Sequence, residues 1–293
     1  MQISKSVTRL IMGLIIGFSA LFAILAGGLP LVVLCLIVVV LGAKEYSNIL
    51  EHKGFLPSYK IIVICSLLFA VIAYFNRLDL IPLALTVSTF MAFMWVLFRG
   101  KQPYIANVAT TILGFVYCGW FPLHLIFLRD IGCCDTVFDG LIKYNTSMEG
   151  AAYAILMLLS VILTDSFCYY AGVQFGKHKL AEVISPNKTI EGAIGGTLMC
   201  VIFCFVFGVW ALNLPWYHTL VLGLLIATFA QIGDLCESMI KRDAGVKDSS
   251  DIIPGHGGFM DRTDSYILTI PVVYYYLQFF VQNNFIDIIK GIL

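Results

Sequence analysis

The sequence predicts an all-α polytopic integral membrane protein of about nine transmembrane helices, with its N-terminus in the cytoplasm. Three observations predict this. Hydrophobic residues make up 60% of the 293 residues, mean hydropathy is +0.92, and only 12% are charged, about half the charged share of a soluble domain. Apolar runs of about 20 residues, the length that crosses a hydrocarbon core, recur along the whole chain. Those runs are continuous rather than alternating, which excludes a membrane β-barrel.

The expected spans are 7–26, 30–50, 59–75, 78–98, 104–128, 150–175, 191–213, 216–240 and 266–281. The first run looks like a secretory signal, but it has no small-residue cleavage site and more spans follow, so it reads as the first helix. Charge supports the count. Threading nine spans from a cytoplasmic N-terminus puts only Arg77, Arg129, Lys143 and Lys290 of the 18 Lys and Arg outside, the bias that cytoplasmic loops carry. The polar segments after Phe175 and after Ile240 then face the cytoplasm. The lack of a long polar N-terminal tail points to a bacterial inner membrane. Membrane lipids surround such a chain, and zero net charge gives no field for nucleic acid.

The chain reads as one membrane-embedded domain over 1–293. Residues 1–128 are a scaffold half nearly bare of buried polar chemistry, 150–265 are the catalytic half, and 266–293 hold the last helix and the C-terminal tail. No internal repeat is visible, which weakens a transporter reading with Asp165 and Asp234 on an ion pathway. Of the nine cysteines, seven lie in spans and act as small apolar residues. Cys133 and Cys134 are adjacent, and a vicinal pair closes only a strained ring.

Four polar constellations carry the chemistry. In QIGDLCESMIKR, Gln231, Asp234, Ser238 and Lys241 share one helix face. A helix end entering water accounts for Lys241 and Arg242 but not for Asp234, which lies about two turns inside, where an ionisable group is costly and functional. In GVKDSSDIIPGHGGFMDR, Asp248 and Asp261 bracket a glycine-rich turn. Glycine backbone approaches phosphate closely, and carboxylate oxygens suit Mg²⁺, which takes one or two of them plus phosphate and water. Charge and glycine alone would equally make a solvated loop. In TDSFCYYAGVQFGK, Asp165 lies inside a span, while Gly172 and Gly176 allow close helix approach. In SPNKTIEG, Ser185 or Asn187 can begin the next helix, with Thr189 and Glu191 in its first turn and Lys188 placed to reach a phosphate. His124 and His178 read as packed or interfacial. Tyr274, Tyr275 and Tyr276 read as a lipid-facing or interfacial belt.

Together these segments resemble the phosphatidate cytidylyltransferase family. Its signature S-x-x-K-R-x-x-x-x-K-D-x-x-x-x-x-P-G-H-G-G-x-x-D-R-x-D runs here without a gap from Ser238 through Lys241-Arg242, Lys247-Asp248 and Pro254 to Gly258, ending at Asp261-Arg262 and Asp264. The upstream T-D-S, G-K-x-K-L, S-P-x-K-T-x-E-G and Q-x-G-D-L-x-E-S elements are also present, so the motifs cover Thr164 to Ser265. Residues 1–128 match only as membrane helices. The resemblance implies transfer of CMP from CTP to phosphatidic acid, Mg²⁺ dependence with a second cation allowed, and a homodimer. It implies Asp234 and Asp261 as metal ligands. Asp248 and Asp165 stand near them, Lys188, Lys241, Lys247 and Arg262 bind phosphates, Gly255, Gly257 and Gly258 shape the nucleotide loop, Ser238 lines the substrate site, and His256 donates a hydrogen bond. A CTP-dependent lipid-alcohol kinase shares part of these motifs.

Overall fold

A computed structural model describes residues 5–132, 137–139, 142–144, 147–250, 252 and 257–282. Among them, helices occupy each of the nine expected segments. These are α1 (Lys5–Ala26), α2 (Gly28–His52), α3 (Tyr59–Tyr74), α4 (Ile81–Arg99), α5 (Tyr104–Gly114), α6 (Phe121–Arg129), α7 (Glu149–Phe175), α8 (Ile190–Leu212), α9 (Trp216–Asp243) and α10 (Met260–Tyr276). A π turn, Phe115–Trp120, joins α5 to α6, and another, Leu277–Gln282, follows α10. Six segments are long and apolar enough to cross a membrane: Gly28–His52, Leu78–Arg99, Tyr104–Arg129, Glu149–Phe175, Ile190–Leu212 and Trp216–Asp243. Length and composition thus support six crossings among the described residues, against nine expected. The apolar helix Tyr59–Tyr74 is shorter than the run of about 20 that spans a bilayer core.

The helix ends follow local chemistry. Ser58 starts α3, its hydroxyl accepting from the Ile61 N–H at 3.4 Å, and a proline sits in the first turn of α4. Thr189 caps α8 by accepting from the Gly192 N–H at 3.2 Å. The expected helix start at Ser185 or Asn187 is corrected by this. Residues Ser185–Thr189 form strand β4, paired antiparallel with β3 (Lys179–Ala181). Hairpin bonding commits that backbone, so the helix starts only after the strand's last residue, Thr189, which caps it.

The chain divides into two compact units. The first comprises Met1–Phe127, Val137–Tyr144 and Met239–Thr263. Its core includes Leu31, Val39, Ala43 and Tyr46 of α2 and also Phe69 and Trp120, whose rings lie 4.8 Å apart. The second comprises Leu128–Thr136, Asn145–Ser238 and Asp264–Leu293. Here α7 and α8 pack almost backbone to backbone. A Cβ on Gly192 would lie 2.6 Å from the Cys168 carbonyl, and one on Gly196 2.7 Å from the Thr164 carbonyl. Close packing of α9 on α10 follows the same rule, since a Cβ on Gly233 would lie 2.5 Å from the Asp264 carbonyl. The expected tyrosine belt is only partly lipid-facing. Tyr275 is exposed, but Tyr274 is buried, and the Tyr276 hydroxyl lies 2.8 Å from His218 Nδ1. Phe18, Phe90, Phe98, Ile105 and Trp210 are among many large apolar side chains turned outward, the reverse of a water-soluble surface.

Candidate active site

Motif residues gather in a polar cluster in each unit. In the second, α7 supplies Asp165, β4 supplies Lys188, α9 supplies Asp234 and Ser238, and α10 supplies Ser265. The β3–β4 hairpin brings Lys188 to α9, and its ammonium lies 2.7 Å from Asp234 Oδ2. Ser238 Oγ donates to Asp234 Oδ1 at 3.4 Å, and Ser265 Oγ donates to Asp165 Oδ1 at 3.4 Å. The two carboxylates repel each other, and Lys188 offsets the charge. Gln231, one turn before Asp234, donates to the Thr197 hydroxyl at 3.0 Å and so fixes α9 against α8. Glu191 secures the turn before the hairpin: Oε2 accepts from the Lys177 N–H at 3.0 Å and Oε1 meets His178 Nδ1 at 2.6 Å.

In the first unit, Lys241 of α9 ion-pairs with Asp261 Oδ1 in the first turn of α10. Lys241 is only 7% exposed, so the expectation that it emerges into water at a helix end is corrected. Its long stem is buried because its charge has a partner, the half-buried Asp261 carboxylate. Asp261 Oδ2 accepts from the Ser249 N–H at 3.1 Å, the Ser249 hydroxyl at 2.9 Å and the Gly258 N–H at 3.2 Å. Burial alone would raise the Asp261 carboxyl, but the bond and charge from Lys241, helped by Ser249, hold it down at about 2. Gly257 adopts φ +80°, a conformation open to glycine at little cost. A Cβ on Gly258 would overlap the Ser249 hydroxyl and lie 2.7 Å from Asp261 Oδ2. Lys247, Asp248 and Arg262 are exposed. Gly255 and His256 lie outside the described residues, as do Cys133 and Cys134.

One residue of this cluster was missed by sequence reasoning. Glu45 on α2 is fully buried, and all its partners come from the segment leading into α10. It corrects the expectation that residues 1–128 are nearly bare of buried polar chemistry. The signal was present: Glu45 is the only acidic residue within 30–50, and the cost of a charge inside an apolar run singles it out as it does Asp165 and Asp234.

The donors can be compared with what Mg²⁺ requires. It takes one or two carboxylates and completes its shell with phosphate and water. Asp234 fits: its carboxylate is one-third exposed and already holds a cation, Lys188, with Asp165 as a second hard-oxygen group. Asp261 is engaged at both oxygens by Lys241, Ser249 and Gly258, so it has room for an ion at Oδ1 only if Lys241 moves. Among the described residues no three His, Cys, Asp or Glu side chains converge.

Apolar helices of membrane-crossing length, paired with carboxylate–cation clusters suited to phosphate, define a membrane-embedded nucleotide-handling enzyme. A model of the cytidylyltransferase family matches residues 7–280. Phosphatidate cytidylyltransferase of Synechocystis is 33% identical over 296 residues, covering 94% of this chain and 99% of that protein. The chloroplastic phosphatidate cytidylyltransferase 5 of Arabidopsis thaliana is 33% identical over 94% of this chain and 72% of its own. That of Bacillus subtilis is 38% identical over 163 residues, 55% of this chain and 59% of its own. The chain belongs to the cytidylyltransferase family and is a nucleotidyltransferase.

Proposed function

We propose that this enzyme transfers CMP from CTP to phosphatidic acid, giving CDP-diacylglycerol and pyrophosphate, with Mg²⁺, at the cytoplasmic face of the membrane. The observation that carries the reading is the paired clusters. Lys188 with Asp234, and Lys241 with Asp261, each set a cation on a carboxylate. Their residues match family motif positions. In the reaction, a phosphate oxygen of phosphatidic acid attacks the α-phosphorus of CTP, and the bond from that phosphorus to the bridging oxygen of the β-phosphate breaks. The electron pair leaves with pyrophosphate.

The nucleophile needs no general base, because a phosphomonoester with a second pKa of about 6 is largely dianionic at neutral pH. The barrier is repulsion between polyanions, which cations must offset as charge builds on the leaving group. Asp234, with Asp165 beside it, would hold Mg²⁺, whose contribution is to neutralise phosphate charge. Asp261 would serve a cation at Oδ1 in exchange for Lys241, whose ammonium then turns to a phosphate. Lys188 makes the same choice between Asp234 and substrate. Lys247 and Arg262 are exposed and would meet phosphates directly, with Asp248 beside them. Gly255, Gly257, Gly258 and His256 would shape the nucleotide loop, and Ser238 would orient Asp234. The enzyme would act as a homodimer in a bacterial inner membrane.

Purified protein in mixed micelles with CTP, Mg²⁺ and phosphatidic acid is expected to release pyrophosphate and lipid-linked CMP in equal amounts, and chelation should stop both. CDP with a phosphorylated lipid alcohol would instead make it a kinase. In the same assay Gly258→Ala is expected to lower turnover about tenfold or more, because a displacement of about 1 Å at a reacting group is that costly. The added methyl must push Ser249 off Asp261. Turnover within twofold of the parent would mean that Ser249 is dispensable there.

A further inference from the structure

We infer that Glu45 is a positioning residue for nucleotidyl transfer: a buried anion on α2 that holds Ser249, Ser250 and the start of α10, and through them Asp261, in place. Glu45 Oε1 accepts from the Ser250 hydroxyl and from the Phe259 N–H at 2.8 Å. Its Oε2 accepts from the Met260 N–H at 2.6 Å and from the Ser249 hydroxyl at 3.2 Å. The two amides belong to the start of α10, where N–H groups have no partner within the helix. A carboxylate there satisfies them and favours the positive end of the helix dipole. Here the cap comes from a residue more than 200 positions earlier in the chain.

The position of these bonds relative to Asp261 sets their consequence. Asp261 is the residue after Met260, so fixing the Met260 amide fixes the phase of the first helical turn and the direction of the Asp261 side chain. Ser249 Oγ stands between the two carboxylates, 3.2 Å from Glu45 Oε2 and 2.9 Å from Asp261 Oδ2. Its single proton serves one of them at a time, so the two acids compete for one donor and are mechanically linked. Met260 is 0% exposed and Ser249 8%, so water does not readily replace Glu45 if it is removed. A residue needed only to pack α2 would be apolar, like the buried Val39, Ala43 and Ile49 of the same helix. A charge is required because four donors of the catalytic segment converge on the site. Glu45 touches none of the reacting atoms and acts through Ser249 and the start of α10.

The inference rests on the proposed role of Asp261 and Lys241 in CMP transfer, and the test separates the two. The full-length protein in lipid nanodiscs is compared with Glu45→Gln, which keeps size but loses charge and turns an N–H₂ toward the donors. Hydrogen exchange at Phe259 and Met260 is expected to rise about tenfold or more, with exchange in α3 and α4 unchanged. In the CMP-transfer assay kcat is expected to fall about tenfold or more while KM for CTP and for phosphatidic acid stays within about threefold, as for a group whose loss misplaces the transition state rather than substrate binding. Glu45→Asp, which retains the charge, should recover part of kcat. Adding Ser249→Ala to Glu45→Gln should cost less than the two separate losses combined, because both act through one contact. If Glu45→Gln does not fold, Ser250→Ala, which removes one donor and leaves the charge, should still raise exchange at Phe259. Unchanged exchange in the folded variants, or faster exchange with kcat within threefold of the parent, overturns the inference. Faster exchange in a protein whose parent form transfers no CMP supports the holding of the segment and rejects the reaction instead.

Discussion

Asp234→Asn is expected to lower CMP transfer by about a hundredfold or more, the loss seen when an electrostatic contact to the transition state is removed. Asn keeps the shape and one acceptor oxygen but offers no charge to a divalent ion. Lys188, now 2.7 Å from Asp234 Oδ2, would lose its partner and bind phosphate no less tightly. The defect should therefore fall on kcat, with a raised Mg²⁺ requirement, more than on KM for CTP. Folding should survive, because Asp234 is one-third exposed and its helix is held by Gln231 and by the packing at Gly233. Turnover and the Mg²⁺ dependence of turnover, measured beside a melting curve in detergent, check all three points. Turnover within threefold of the parent at saturating Mg²⁺ would remove Asp234 from the metal site.

Asp261→Asn is expected to lose as much activity and, unlike Asp234→Asn, to lose stability as well. It removes the charge that balances the buried Lys241 ammonium, and breaking a buried pair from one side costs about 3–5 kcal/mol. Acid should reveal the same pair. The folded Asp261 carboxyl is held at about 2, below its ordinary value of 3.8. A depressed carboxyl contributes stability that is complete above the ordinary value and is lost as pH falls through the folded one. The parent protein should therefore lose melting temperature between about pH 4 and about pH 2, and Asp261→Asn should lose less over that window. Equal acid sensitivity in both would mean that the Lys241–Asp261 pair contributes nothing to folding.

The site was legible in the sequence where it is linear. Asp234, Ser238 and Lys241 lie on one helix, and spacing alone put them on one face. The 238–264 signature is contiguous, so its length identified it. Lys188 was legible as a residue type but not as a contact. Its meeting with Asp234 depends on the β3–β4 hairpin, whose backbone pairing no helical or hydropathy pattern announces. Lys241 was legible as a site residue but not as a partner of Asp261, because a cation near a helix end suits water equally well. Glu45 was passed over because it belongs to no motif of the signature and its partners are distant in the chain.

The sequence by itself determined the class of environment and the chemistry. Apolar run length decides which segments can form helices in a bilayer, because unsatisfied backbone polar groups are too costly there. The motif residues decide that the chain is a cytidylyltransferase. Both are properties of residue type and short spacing, which the linear chain displays in full. Tertiary structure alone decided which charge answers which: Lys188 to Asp234, Lys241 to Asp261, and Glu45 to the start of α10. Such pairing is set by the backbone's path between distant segments. Glu45 and Lys241 are buried, and there the cost of a charge without a partner makes the pairing obligatory, yet nothing local to either residue specifies its partner.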